Sequence, residues 1–263
     1  MSPTSPAREQ LSFFDGDGLI ASLSGLLSVA AALGAESVHG WSKFEERLLD
    51  SRRAREPVSR AILSDFRRKI AAGPDPLGDS FARLRSAVER RPMGATYTPL
   101  PVVMLMLDWA EEYSRTSQNK PVRIVDPGTG SARFLVAAGR RFPKAELIGV
   151  EIDPIAAVLA RAHVSAAGMS ARTQIMLSDF RSIALPKIDG ATLYIGNPPY
   201  VRHHLISQQW KQWLVERAAS LKLSASQLAG LHVHFFLATA LDSVAGDFGA
   251  FITAALPMMK ELR

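Results

Sequence analysis

Residues 122–135 read Val122-Arg123-Ile124-Val125-Asp126-Pro127-Gly128-Thr129-Gly130-Ser131-Ala132-Arg133-Phe134-Leu135: a β-branched run, a glycine-rich turn and the opening of a helix. Gly128 and Gly130 permit a tight turn and close approach of backbone to a ligand, and the helix start beyond them presents unpaired N–H groups. A second strand, Glu146-Leu147-Ile148-Gly149-Val150-Glu151-Ile152-Asp153, ends in acids. Glu151 lies 25 residues beyond Asp126, close to the spacing at which an acid reaches a ribose hydroxyl in nucleotide-binding βαβ units. Working outward, strands are expected at 122–126, 146–151, 172–177, 191–196 and 248–255, with helices at 131–141, 154–167 and through 207–243. That alternation predicts the α/β class, with a doubly wound, mostly parallel, Rossmann-like sheet.

Asn197-Pro198-Pro199-Tyr200 directly follows the apolar run Ala191-Thr192-Leu193-Tyr194-Ile195-Gly196. A buried strand empties there into a loop, the place where open α/β sheets do chemistry. Asn197 offers a carbonyl that accepts an N–H, Pro198 and Pro199 have carbonyls free to turn toward a ligand, and Tyr200 offers an aromatic face. Together they describe a socket for a planar base or amide. Alone, the tetrapeptide would equally be a turn; the strand and the glycine-rich turn upstream favour the socket.

The set Asp-Pro-x-x-Gly-Ser-x-x-Phe-Leu, an acid at the second strand end, Ser178-Asp179-Phe180 after the third strand and Asn-Pro-Pro-Tyr after the fourth resembles the S-adenosylmethionine-dependent DNA adenine-N6 methyltransferases. It looks most like the gamma-type enzymes of bacterial restriction–modification systems, over roughly residues 91–263. Gly94-Ala95-Thr96-Tyr97-Thr98-Pro99 is similar to the element that lines the cofactor's methionine end in that family. Leu231-His232-Val233-His234-Phe235 and Gly249-Ala250-Phe251-Ile252-Thr253-Ala254 match later family segments more loosely, and Ala132 stands where the turn often has a third glycine. An alanine is expected to fit there as a helix start.

The resemblance implies a role for each motif. Asn197 and the Pro198 carbonyl would accept the two N6 hydrogens of a flipped adenine, with Tyr200 stacked on the base. Asp126, Gly128 and Gly130 would pass beside the methionine portion of S-adenosylmethionine, and Glu151 would hold the ribose hydroxyls. Asp179 would accept from the adenosine amino group, Phe180 or Ile152 would cover that ring, and Thr96, Tyr97 and Pro99 would close the pocket. No metal is required. The resemblance further implies a sheet that continues past the fifth strand, a target-recognition domain or separate subunit, double-stranded DNA as partner and a cytoplasmic bacterial or archaeal setting.

Composition is compatible with this. The chain has 263 residues, 47% hydrophobic, no cysteine and a net charge of +6. It can bury a core, cannot form disulfides or thiolate metal sites, and has no apolar run long enough to span a membrane. Met1-Ser2-Pro3-Thr4-Ser5-Pro6 lacks the apolar core of a secretory signal, and residues 1–9 are expected to be disordered. Residues 10–90 show helical spacing broken at Gly34, Gly40, Pro57 and Gly73-Pro74-Asp75-Pro76, so a helical region over 1–90 is expected to precede a catalytic domain over 91–263. Between Trp41 and Arg91 there are 13 Lys/Arg against 8 Asp/Glu. Arg52, Arg53, Arg55, Arg67, Arg68 and Lys69 form either a DNA-facing surface or the solvated faces of ordinary helices. His203, His204, His232 and His234 read as surface or packing histidines, because no paired-acid or cysteine spacing accompanies them. Protein-glutamine and RNA-base methyltransferases use related motifs, and a non-catalytic cofactor-binding subunit is a third possibility. The Gly94–Pro99 segment and the basic N-terminal half favour DNA.

Overall fold

The computed structural model describes residues 20–51, 57–85 and 98–253. Thr96 and Tyr97 lie outside them, as do Arg52, Arg53 and Arg55. Five strands, β1 (Pro121–Pro127), β2 (Glu146–Glu151), β3 (Thr173–Leu177), β4 (Ala191–Gly196) and β5 (Phe248–Phe251), form one sheet in the order β3-β2-β1-β4-β5. Every pairing is parallel, with Asp126 opposite Gly149 and Val125 opposite Tyr194. The strand order reverses between β1 and β4, which opens a crevice at their carboxyl ends. β4 is buried along its whole length and β1 and β2 nearly so, as a parallel sheet covered on both faces requires.

Helices α5 (Leu100–Thr116), α6 (Arg133–Arg141) and α7 (Pro154–Ala166) cover one face, where Val103, Leu107, Leu135 and Ala160 meet Ile124, Leu147, Ile175 and Leu193. The other face is covered by α9 (Leu231–Asp242), whose Phe235 and Ala238 pack on Val125, Ile148, Val150 and Tyr194. Beside α9 lies α8 (Gln208–Ser220). Helix starts follow local chemistry: Asp153 caps α7 by accepting from the Ile155 N–H at 2.9 Å, with Pro154 in the first turn, where a missing N–H costs nothing.

Four further helices, α1 (Leu23–Ala32), α2 (Lys43–Ser51), α3 (Arg60–Ala72) and α4 (Pro76–Leu84), pack on the outer side of α7. Leu26, Leu27, Leu49, Ile70, Leu77 and Phe81 share one core with Ile155, Val158 and Leu159. Arg161 of α7 is wholly buried there. Its guanidinium pairs with Glu45 at 2.7 Å and donates to the carbonyls of His39, Gly40 and Ile175 at 2.7–2.9 Å. Arg67, Arg68 and Lys69 are exposed, the last two paired with Asp65.

Candidate functional site

The crevice holds a cavity of about 310 Å³. The glycine-rich turn forms its floor. Gly128 and Thr129 donate their N–H groups to the Val150 carbonyl at 2.8 and 2.9 Å, strapping the turn to β2. Gly128 and Gly130 have φ of 79° and 57°, and a β-carbon on Gly130 would project into open space. Ala132, in the same turn, also has a left-handed φ of 65°. It stands at the start of α6 as its N-cap, and such a conformation costs an L-residue about 1–2 kcal/mol.

Glu151 ends β2 at the cavity wall and is 9% exposed. Its carboxylate accepts from the N–H groups of Gly130 (2.8 Å), Ile152 (2.9 Å) and Asp153 (2.8 Å). Burial still pushes its pKa above the ordinary value, against the pull of these donors. Asp126, at the end of β1, accepts from the Thr129 hydroxyl at 2.9 Å. Its other oxygen is buried without a partner among the described residues, packed so close to Gly196 that a β-carbon there would come within 2.5 Å. Burial, with a smaller contribution from the Glu151 charge, raises the Asp126 pKa to about 7.

Asn197 leaves β4 and borders the same cavity. Its Nδ2 donates to the Thr98 hydroxyl at 3.1 Å, while Oδ1 is buried with no partner among the described residues. Asp179 lines the far part of the cavity with Phe180 and the rim residue Ile152, which is 58% exposed. Both Asp179 oxygens hold Arg181, at 2.9 Å to Nε and 2.6 Å to Nη2, and the guanidinium lies 3.8 Å over the Trp210 ring.

Thus Gly128, Gly130, Glu151, Ile152, Asp179, Phe180, Asn197 and Pro199 line one cavity. Asp126 and Pro198 are buried behind it, and Pro99 is exposed at the start of α5. Tyr200 is half-buried, donates its hydroxyl to the Ile252 carbonyl at 2.9 Å and packs against His232. His234 is fully buried and stacked on Trp213, and burial lowers its pKa to about 4. Among the described residues no group of His, Cys, Asp and Glu is placed to hold a metal ion.

Lining residues that the sequence did not single out include Thr98, Arg181, Phe81 of α4 and Arg85, which follows α4. Thr98 sat inside the quoted Gly94–Pro99 segment, and Arg181 follows Asp179 at the two-residue spacing of a local ion pair. Phe81 gave no signal, since a buried aromatic on an amphipathic helix reads as core.

The N-6 DNA Methylase family model matches residues 75–227. The chain is 49% identical over 181 residues to the Type II methyltransferase M.XamI of Xanthomonas campestris pv. amaranthicola, covering 69% of this chain and 32% of that protein. It is 32% identical over 106 residues to a tRNA1(Val) (adenine(37)-N6)-methyltransferase of Porphyromonas gingivalis, covering 39% of this chain and 42% of that one. A crystal structure from Listeria monocytogenes, described as a class I S-adenosylmethionine-dependent methyltransferase, superposes with a TM-score of 0.54 at 16% identity, over 84% of this chain and 62% of that one. It shows the same fold. This chain therefore spans about a third of the length of M.XamI. With the family match covering more than half of its residues, the chain belongs to the N-6 DNA methylase family.

Proposed function

We propose that these residues carry the methyl-transfer part of a site-specific DNA adenine-N6 methyltransferase, the modification component of a restriction–modification system, with S-adenosylmethionine as cofactor and double-stranded DNA as substrate. The observation that carries this reading is Asn197: its amide nitrogen is engaged by Thr98, its oxygen has no partner among the described residues, and it borders the cavity that Glu151 and the glycine-rich turn also line.

The residues present fit the cofactor. Gly130 leaves open the space a side chain would fill, the buried Glu151 carboxylate stands ready for hydroxyl donors, and Asp126 holds the turn through the Thr129 hydroxyl. Asp126, Gly128 and Gly130 are assigned the methionine portion, Glu151 the ribose, and Phe180 and Ile152 the adenosine ring. Asp179 is assigned the adenosine amino group. A carboxylate has about four acceptor positions, and Arg181 takes three of them through its N–H, Nε and Nη2, leaving one on Oδ2. Bound there, S-adenosylmethionine supplies a sulfonium methyl group that is electrophilic without further activation.

Adenine N6 is a poor nucleophile because its lone pair is shared with the ring. Asn197 Oδ1 and the Pro198 carbonyl would accept its two hydrogens, localise the lone pair and stabilise the positive charge that grows on nitrogen. Alignment of this kind contributes ~7–11 kcal/mol in favourable cases. The target atom is inside duplex DNA, so the base must be flipped out, and Tyr200 is assigned to stack on it. Base readout is assigned to a target-recognition region or separate subunit. The test is transfer of labelled methyl from S-adenosylmethionine to unmethylated duplex DNA, followed by nucleoside analysis. N6-methyladenine supports the reading; unlabelled DNA, with label entering tRNA or protein glutamine when these are offered in its place, overturns it.

A further inference from the structure

Arg133, the first residue of α6, reaches in three directions. Nε donates to Asp75 Oδ2 at 3.3 Å, Nη2 pairs with Asp79, and Nη1 donates to the Thr98 carbonyl at 2.7 Å. Thr98 is 5% exposed, and its hydroxyl receives Asn197 Nδ2. On the other side, Asp75 accepts from the Ser131 hydroxyl of the glycine-rich turn at 2.5 Å and from the Gly78 N–H at 2.8 Å. A β-carbon on Gly78 would press on both Asp75 and Ser131, so a side chain there would force that pair to shift. His163 of α7 closes the group, with Nδ1 2.9 Å from the Ser131 carbonyl. A continuous polar path therefore runs Ser131–Asp75–Arg133–Thr98–Asn197, from the cofactor turn to the amide that leaves β4.

We infer that Thr98, held by Arg133, is a positioning residue that anchors the Asn197 amide at Nδ2 and so places Oδ1 for the substrate. The inference rests on the proposed role of Asn197 as acceptor. An asparagine amide is nearly symmetric in shape, and its two orientations differ only in what they bond. With Nδ2 on Thr98, Oδ1 is the end left for an incoming amino group; the reverse orientation would set two N–H donors against the N–H donors of adenine N6. Arg133 fixes the Thr98 backbone against the same Asp75 that fixes Ser131. The spacing between turn and amide is thereby set by buried charge-assisted bonds rather than by a free loop.

Three variants decide the matter: Thr98→Val, which keeps the shape and loses the hydroxyl, Thr98→Ser, which keeps the hydroxyl, and Asn197→Ala, which identifies the side-chain amide resonance of Asn197 in the nitrogen–proton spectrum. For Thr98→Val, kcat for methyl transfer to duplex DNA should fall about 10–100-fold, as expected for a misplaced catalytic group. Its dissociation constant for S-adenosylhomocysteine should stay within about threefold of the parent. The Asn197 amide resonance should shift and its protons exchange faster, and Thr98→Ser should restore both rate and resonance. The inference is overturned if Thr98→Val keeps the parental rate, if its Asn197 resonance does not move, or if Thr98→Ser fails to rescue. Should the parent bind S-adenosylhomocysteine yet methylate no DNA, the function proposed above fails on its own and the resonance alone judges Thr98.

Discussion

Asp126 illustrates what a single residue costs and supplies. One of its oxygens is buried without a partner among the described residues, and its pKa rises to about 7 because burial disfavours the charged form. The folded chain therefore keeps this proton up to about pH 7, whereas the unfolded chain releases it near 3.8. Stability falls as pH rises through that window, by roughly 4 kcal/mol in total, and is level above it. Asp126→Asn removes the titration. In denaturant titrations of the unliganded protein, the variant should match the parent near pH 4 and exceed it at pH 8. Two other positions should separate by function. Asn197→Ala is expected to lower the transfer rate by about 100-fold or more with cofactor affinity retained. Glu151→Ala removes the acceptor of three backbone N–H groups and should weaken S-adenosylhomocysteine binding by about tenfold or more in calorimetry. Equal losses of rate and affinity in both variants would contradict the division of roles.

At the scale of elements, Arg161 pins α2 and the segment Val38–Gly40 against α7 and β3. Arg161→Ala would strand Glu45, itself fully buried, with an uncompensated charge. It should cost about 3–5 kcal/mol, read as a lower urea midpoint. Elements whose determinants are local were legible in the sequence. The β1–turn–α6 and β2–α7 units could be placed to within a few residues, because glycines, Pro154 and the apolar runs mark their own ends. What was not legible depends on partners far along the chain. Asp75 and Pro76 announce a helix start, but nothing local says that the Asp75 carboxylate meets Ser131, 56 residues on. The Thr98 hydroxyl finds its partner 99 residues on. The left-handed φ of Ala132 was hidden for a different reason, since an alanine gives no local sign of one.

At the scale of the molecule, the cavity is built by both the sheet and the helical layer: Phe81 of α4 and Arg85 just beyond it line the same cavity as Gly130 and Asn197. A chain begun at residue 91 would lack that wall and uncover the face of α7 formed by Ile155, Val158 and Leu159. It should lose S-adenosylhomocysteine binding and aggregate on expression, and a soluble, binding-competent product would show that the helical layer is dispensable. Every residue of α7 from Ile155 to Val164 is buried, so this helix has no solvent face, only two interiors. Such an element cannot serve as a hinge between them. Opening either side exposes its apolar surface, so the slowest amide exchange in β1 and in α1 should report one shared event, with sheet and helical layer breaking up as a single cooperative unit.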